Sequence, residues 1–273
     1  MNLLTAPTSL GNRPYETDGT ARWTDRGPAI LRDTLQPRLP VRALGNIPAA
    51  PYRDFVRAPG TIRNEDLVVR HVGEIAKALE PHDDFTLILG GDCSVLLGSL
   101  RGLRRGRELG LVFIDGHSDF NTLETTQTGA VAGMDLALVT GRGPAPLAER
   151  LVRDEHVVTY GIRDGDVHGS GIRSATSADE ALAQLDGLPF FIHLDVDALD
   201  PRFMPYVDSP EPGGLNPETL VVFLQPLVRH PNAIGMEVTI YDPHEDHEGH
   251  GAALLGDVIV GAFANGVQAT RLP

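Results

Sequence analysis

The residues best suited to chemistry are acids and an imidazole at alternate positions. Asp115, His117 and Asp119 stand in DGHSD, and Asp195 and Asp197 stand in DVDALD. Each set follows an apolar run, LGLVFI or PFFIHL, that reads as a strand. GGDCS, with Cys93, follows FTLIL in the same way, and Glu237 closes AIGMEVT. Side chains alternate along a strand, so Asp115, His117 and Asp119 can point to one side, as can Asp195 and Asp197. Four carboxylates and an imidazole then converge. Without cations such a group repels itself, and unpaired buried carboxylates must take up protons. Hard carboxylate oxygens with a nitrogen ligand suit Mn²⁺, and bridging carboxylates suit a pair of ions about 3.5 to 4 Å apart.

The elements that must carry these residues alternate in type. Residues 65–80 place Leu67, Val68, His71, Val72, Ile75 and Leu79 at helical spacing. The chain then reads strand (85–94), helix (94–106), strand (109–120), helix (134–141), strand (155–166), helix (177–187), strand (189–200), helix (217–230) and a last strand (233–239). Apolar strands alternating with helices predict a parallel sheet covered on both faces, a three-layer α/β/α sandwich. Its carboxyl edge, where all the motifs fall, is where open α/β sheets bind ligands. Residues 1–64 are richer in Pro, Gly and Arg and are expected to wrap the sheet with a short strand and helix. No repeat, low-complexity tract or long linker appears, so residues 1–273 read as a single domain.

The joint set LGGDCS, DGHSDFNT, LDVDALDP and PGGL resembles the arginase, agmatinase and formimidoylglutamase superfamily of ureohydrolases over about residues 85–245. The resemblance implies an arginase-like fold, a cofactor of two Mn²⁺ ions, and a bridging hydroxide that attacks a guanidinium carbon. By position, Cys93, Asp115, Asp119 and Asp195 would hold the first ion, and Asp115, His117, Asp195 and Asp197 the second. Asp119 would also orient the hydroxide, and Glu237 would grip the guanidinium. Asn121, Thr128 and Asp166 match positions that contact the α-carboxylate and α-amino groups of an amino-acid substrate. His193 shares parity with Asp195 and Asp197, as a partner behind the metals or a substitute acid. The resemblance also implies a small cationic guanidino substrate and assembly as homotrimers or homohexamers.

Two positions depart from the family pattern. Cys93 stands where the motif is normally GGDHS; a thiolate is softer than imidazole and admits other divalent metals such as Zn or Fe. Ala132 stands where arginases carry a histidine that gives a proton to the departing amine, and such an acid typically contributes a factor of roughly 10² to 10⁴ in rate. Both features resemble relatives that hydrolyse Nω-hydroxy-L-arginine to ornithine and hydroxyurea. The expected function is therefore cleavage of the guanidino C–N bond of L-arginine or Nω-hydroxy-L-arginine to ornithine plus urea or hydroxyurea. The alternatives are agmatinase, another guanidino-acid hydrolase or formimidoylglutamase, or a non-catalytic binding relative.

Composition fits this reading. A formal charge of −14 disfavours nucleic acid and anionic membrane and suits a cation. No apolar run reaches the roughly 18 residues of a spanning helix, and MNLLTAPTSLGNRP has no basic region leading into an apolar one. One cysteine excludes an intrachain disulfide, so a cytoplasmic protein is expected. His244, His247 and His250 lie in a Gly-rich stretch and are expected in a solvated loop near the mouth of the site.

Overall fold

A computed structural model describes residues 1–167 and 169–264. Eight strands make one fully parallel sheet in the order β2-β1-β3-β8-β7-β4-β5-β6. They are β1 (Asn2–Ala6), β2 (Arg42–Asn46), β3 (Thr86–Gly90), β4 (Gly110–Ile114), β5 (Val157–Tyr160), β6 (Arg173–Ser174), β7 (Phe190–Asp195) and β8 (Ala233–Thr239). The α-helices are α1 (Gly27–Leu35), α2 (Glu65–Leu79), α3 (Val95–Arg104), α4 (Asp135–Val139), α5 (Ala178–Gln184), α6 (Pro217–Val228) and α7 (His250–Phe263).

The central strands are buried along their whole length, which is why TLILG, GLVFI and FFIHLD read as nearly continuous apolar runs. Their residues divide by parity. Leu87, Leu89, Val112, Ile114, Ile192 and Leu194 pack with Leu31 and Leu35 of α1, Ala181 of α5, Leu220 of α6, and Leu255 and Ile259 of α7. Ile88, Leu111, Phe113 and Phe191 turn the other way, onto Val72 and Ile75 of α2, Leu96 and Leu100 of α3, and Leu136 of α4. Two ionisable side chains of the central strands stand in the second layer, His193 of β7 and Glu237 of β8, both fully buried.

The three-layer sandwich expected from the sequence is present, with two differences. The amino-terminal 64 residues do more than wrap the sheet, because β1 pairs with both β2 and β3 inside it. AIGMEVT is not followed by loop alone: His250 opens α7, whose buried Leu255, Val258 and Ile259 complete the first layer. That helix is apolar on most sides, so its periodicity is faint in the sequence.

Caps and close approaches fix the ends of the elements. Asn216 accepts a hydrogen bond from the Thr219 amide at 2.7 Å, ahead of Pro217 in the first turn of α6. Ser177 accepts from the Glu180 amide at the start of α5, and Glu180 returns a bond to the Thr176 amide. Gly91 is required because a Cβ there would lie 1.9 Å from the Thr8 carbonyl oxygen.

Candidate metal centre

Strand order places β3 and β4 on opposite sides of the β8–β7 pair, and the loops leaving β3, β4 and β7 meet at one point of the carboxyl edge. After β3 the chain turns through Asp92 and Cys93 into α3. Asp92 is structural: its carboxylate accepts from the Gly11 amide at 2.8 Å, the Ser94 amide at 2.9 Å and the Thr8 hydroxyl at 3.2 Å. This ties the β3 loop to the amino-terminal segment and sets Cys93, whose buried thiol donates to Asp195 Oδ2 at 2.9 Å.

The DGHSD loop turns back on itself. Asp115 Oδ1 accepts from the His117 amide at 2.6 Å, and Asp119 sits in left-handed backbone at φ 42°, which aspartate tolerates better than most residues. Gly116 is needed, since a Cβ there would lie 2.9 Å from Asp197 Oδ1, the atom to which the Gly116 amide donates at 3.0 Å. From β7, Asp195 Oδ1 accepts from the Asp197 amide at 2.8 Å, and Asp197 Oδ2 lies 2.8 Å from His117 Nδ1.

Potential ligand atoms converge in four overlapping groups, each with its atoms within 4.8 Å of one another. They are Asp115 with His117 and Asp197; Asp115 with Asp119 and Asp195; Cys93 with His193 and Asp195; and Cys93 with Asp119 and Asp135. All six residues expected to bind metal therefore come together. Burial, and then the neighbouring carboxylates, hold Asp115, Asp119, Asp135 and Asp195 well above the usual carboxylate range. Burial and the charge of Asp195 likewise push the Cys93 thiol up. At His117 burial pulls downward, but the hydrogen bond and charge of Asp197 outweigh it, and the imidazole is pushed up to about 9. Asp115 Oδ2 is buried with no hydrogen-bond partner. An acid cluster that must protonate to be tolerated, with a carboxylate oxygen lacking a partner, fits divalent cations in both number and hardness of donors.

Above the cluster opens a cavity of about 490 Å³ lined by Cys93, His117, Asp119, Asn121, Thr128, Ala132, Asp195 and Asp197, with Arg13, Asp164, Asp208 and Glu211 also on its wall. The profile of the arginase family matches residues 14–264. The chain belongs to the arginase family. It is similar to arginase of Bacillus caldovelox, at 31% identity over 245 residues, 77% of this chain and 82% of that one. It is 27% identical over 287 residues to arginase of Staphylococcus aureus (strain MRSA252), covering 92% and 93% of the two chains. The solved native arginase of Bacillus caldovelox superposes with a TM-score of 0.86 at 25% identity, over 98% of this chain and 99% of the other. The chain is accordingly an arginase-family hydrolase of guanidino compounds.

In this arginase-family chain the residues expected to face substrate fare unequally. Asn121 and Thr128 line the cavity as expected. Asp166 is exposed and outside the cavity lining, where Asp164 stands instead. Glu237 does not line the cavity: Oε1 lies 2.7 Å from His193 Nδ1, and Oε2 accepts from the Ser99 hydroxyl at 2.6 Å. Both residues lie in the floor beneath the cluster. His247 and His250 are exposed, while His244 packs against Tyr15 and Trp23.

Sequence reasoning missed Asp135, which is fully buried beside Cys93 and Asp119. An acid heading an apolar helix ordinarily reads as a solvated first-turn residue. A short turn at residues 131–133 precedes it, and no local signal announces its burial. Arg13 and Asp208 were missed too, because both come from loops without periodicity.

Proposed function

We propose that this chain hydrolyses the guanidino C–N bond of L-arginine or Nω-hydroxy-L-arginine, with two Mn²⁺ ions as cofactor, and that it turns over the hydroxylated substrate faster. Cys93, Asp115, Asp119 and Asp195 would hold one ion, and Asp115, His117, Asp195 and Asp197 the other. Two divalent ions in such a site supply Lewis acidity, making water a nucleophile near neutral pH. Water adds to the guanidino carbon, the bond to the ornithine nitrogen breaks, and that nitrogen leaves with a proton.

The chain's own residues divide the remaining work. Asp119, at the cavity floor, accepts the proton of the attacking water and faces the guanidinium. Asn121 and Thr128 receive the polar end of the amino acid. The acidic wall of Asp164, Asp208 and Glu211 attracts the cation, and Arg13 at the same wall offers a partner for a carboxylate. His193 and Glu237 support the cluster from beneath.

The observation that carries the hydroxyarginine preference is the wall at Ala132. It lines the cavity with a methyl group, and the one imidazole lining the cavity among the described residues, His117, is engaged by Asp197. Among the described residues no further imidazole lines the cavity to give the departing amine a proton, so a substrate that depends less on protonation is favoured. Another guanidino acid is the second reading, because Asn121, Thr128 and Arg13 would also serve a shorter carboxylate.

The test is a panel of L-arginine, Nω-hydroxy-L-arginine, agmatine and 4-guanidinobutyrate with saturating Mn²⁺, scored for urea, hydroxyurea and ammonia. Hydroxyurea release with the highest kcat/KM is expected. A tenfold preference for arginine, about 1.4 kcal/mol in transition-state binding, would replace this reading by arginase activity.

A further inference from the structure

The imidazole that position 93 lacks is offered from another strand. His193 is fully buried in β7, with its ring stacked on Phe113 at 4.6 Å between centroids and 15° between planes. Its Nδ1 lies 2.7 Å from Glu237 Oε1, and Ser99 holds the other carboxylate oxygen. A carboxylate there makes Nδ1 the N–H donor and leaves Nε2 with a lone pair. That Nε2 has no hydrogen-bond partner, and His193 belongs to the group of potential ligands formed with Cys93 and Asp195. Asp115 Oδ2, also without a partner, lies 3.9 Å away. The separation is too long for a hydrogen bond and suits two ligands of one small ion.

We propose that His193 is itself a metal ligand, binding through Nε2 the ion shared by Cys93, Asp115 and Asp195, with Glu237 as its positioning residue. The arrangement is the carboxylate–histidine–metal series that fixes the tautomer and plane of a ligating imidazole. It gives the Cys93 ion a nitrogen donor, offsetting the softness of the thiolate, and it explains why an imidazole and a carboxylate are buried side by side within the sheet. The inference rests on the reading of the cluster as a two-ion centre.

The test uses untagged protein stripped of metal, titrated with Mn²⁺ by calorimetry, with ions counted by mass spectrometry and imidazoles counted by X-ray absorption on the loaded wild type. Two ions sharing two imidazoles, His117 and His193, are expected. His193→Asn should weaken one of the two ions about 10- to 100-fold, and Glu237→Gln should weaken the same ion less while the second imidazole stays bound. One imidazole for two ions, or unchanged affinities in His193→Asn, overturns the assignment and leaves the two-ion centre standing. Uptake of no ion by the wild type overturns the centre itself. Should His193→Asn fail to fold, the imidazole count in the wild type decides alone.

Discussion

At the scale of single residues the site is a set of shared contacts, so removals should not behave alike. Asp197 accepts from the Gly116 amide, holds His117 and belongs to a ligand group. Asp197→Ala should nearly abolish turnover and leave less than two ions per chain; full activity with two ions bound would remove Asp197 from the centre. Ala132 is different, because only a methyl group faces the cavity. Ala132→His has room to project into it and should raise kcat on arginine more than on the hydroxylated substrate. Equal gains on both, or none, would show that protonation of the departing amine is not what limits this enzyme. Asn121 and Thr128 bear on the other end of the substrate. Agmatine leaves their polar atoms unmatched at about 1–3 kcal/mol each, so its kcat/KM should fall well below that of either amino acid. Comparable values would mean these two residues do not read the substrate.

At the scale of elements, the loops after β3, β4 and β7 set the candidate ligands, and their glycines leave little room for a side chain. Gly91 meets backbone of residue 8, which cannot rotate aside as a side chain could. Gly91→Ala should therefore cost about 1–3 kcal/mol or more in chemical denaturation and weaken metal binding with it, since Cys93 follows two residues later. A variant with wild-type stability and ion affinity would show that the β3 loop and the amino-terminal segment are not locked together. The helices contribute less specifically, through caps and apolar faces, although α3 also supplies Ser99 to the buried Glu237.

At the scale of the whole molecule, the acid cluster makes stability depend on pH in a direction opposite to ordinary acid denaturation. Asp115, Asp119, Asp135 and Asp195 are held above the usual carboxylate range, so without metal the folded chain binds more protons than the unfolded one. Stability then falls as pH rises through the raised values. His117 acts in the same sense: pushed up to about 9, it contributes fully below the unfolded value of roughly 6.5 and is lost as pH passes 9. Metal ions compete with these protons, so their affinity rises with pH. The gap in Tm between loaded and stripped protein should widen from about pH 5 to about pH 8. A gap that narrows would mean the carboxylates are ionised without metal. Among the described residues no helix is long and apolar enough to cross a membrane.

Most of the fold and the convergence of the six expected ligands were legible in the sequence because both rest on short-range rules. Apolar runs bounded by turns mark buried parallel strands, and alternation along a strand fixes which of Asp115, His117, Asp119, Asp195 and Asp197 share a side. Helix α7 and the place of β1 between β2 and β3 were not legible: one lacks a polar face, and the other depends on pairing with β3, which no local pattern encodes. The floor of the site was decided only by tertiary structure. Glu237, His193, Ser99 and Asp135 come from four elements, and each is polar in a setting that composition makes apolar. Whether such a group faces substrate, metal or another side chain depends on what packs across the sheet. Spacing along one strand gives its side and not its partner.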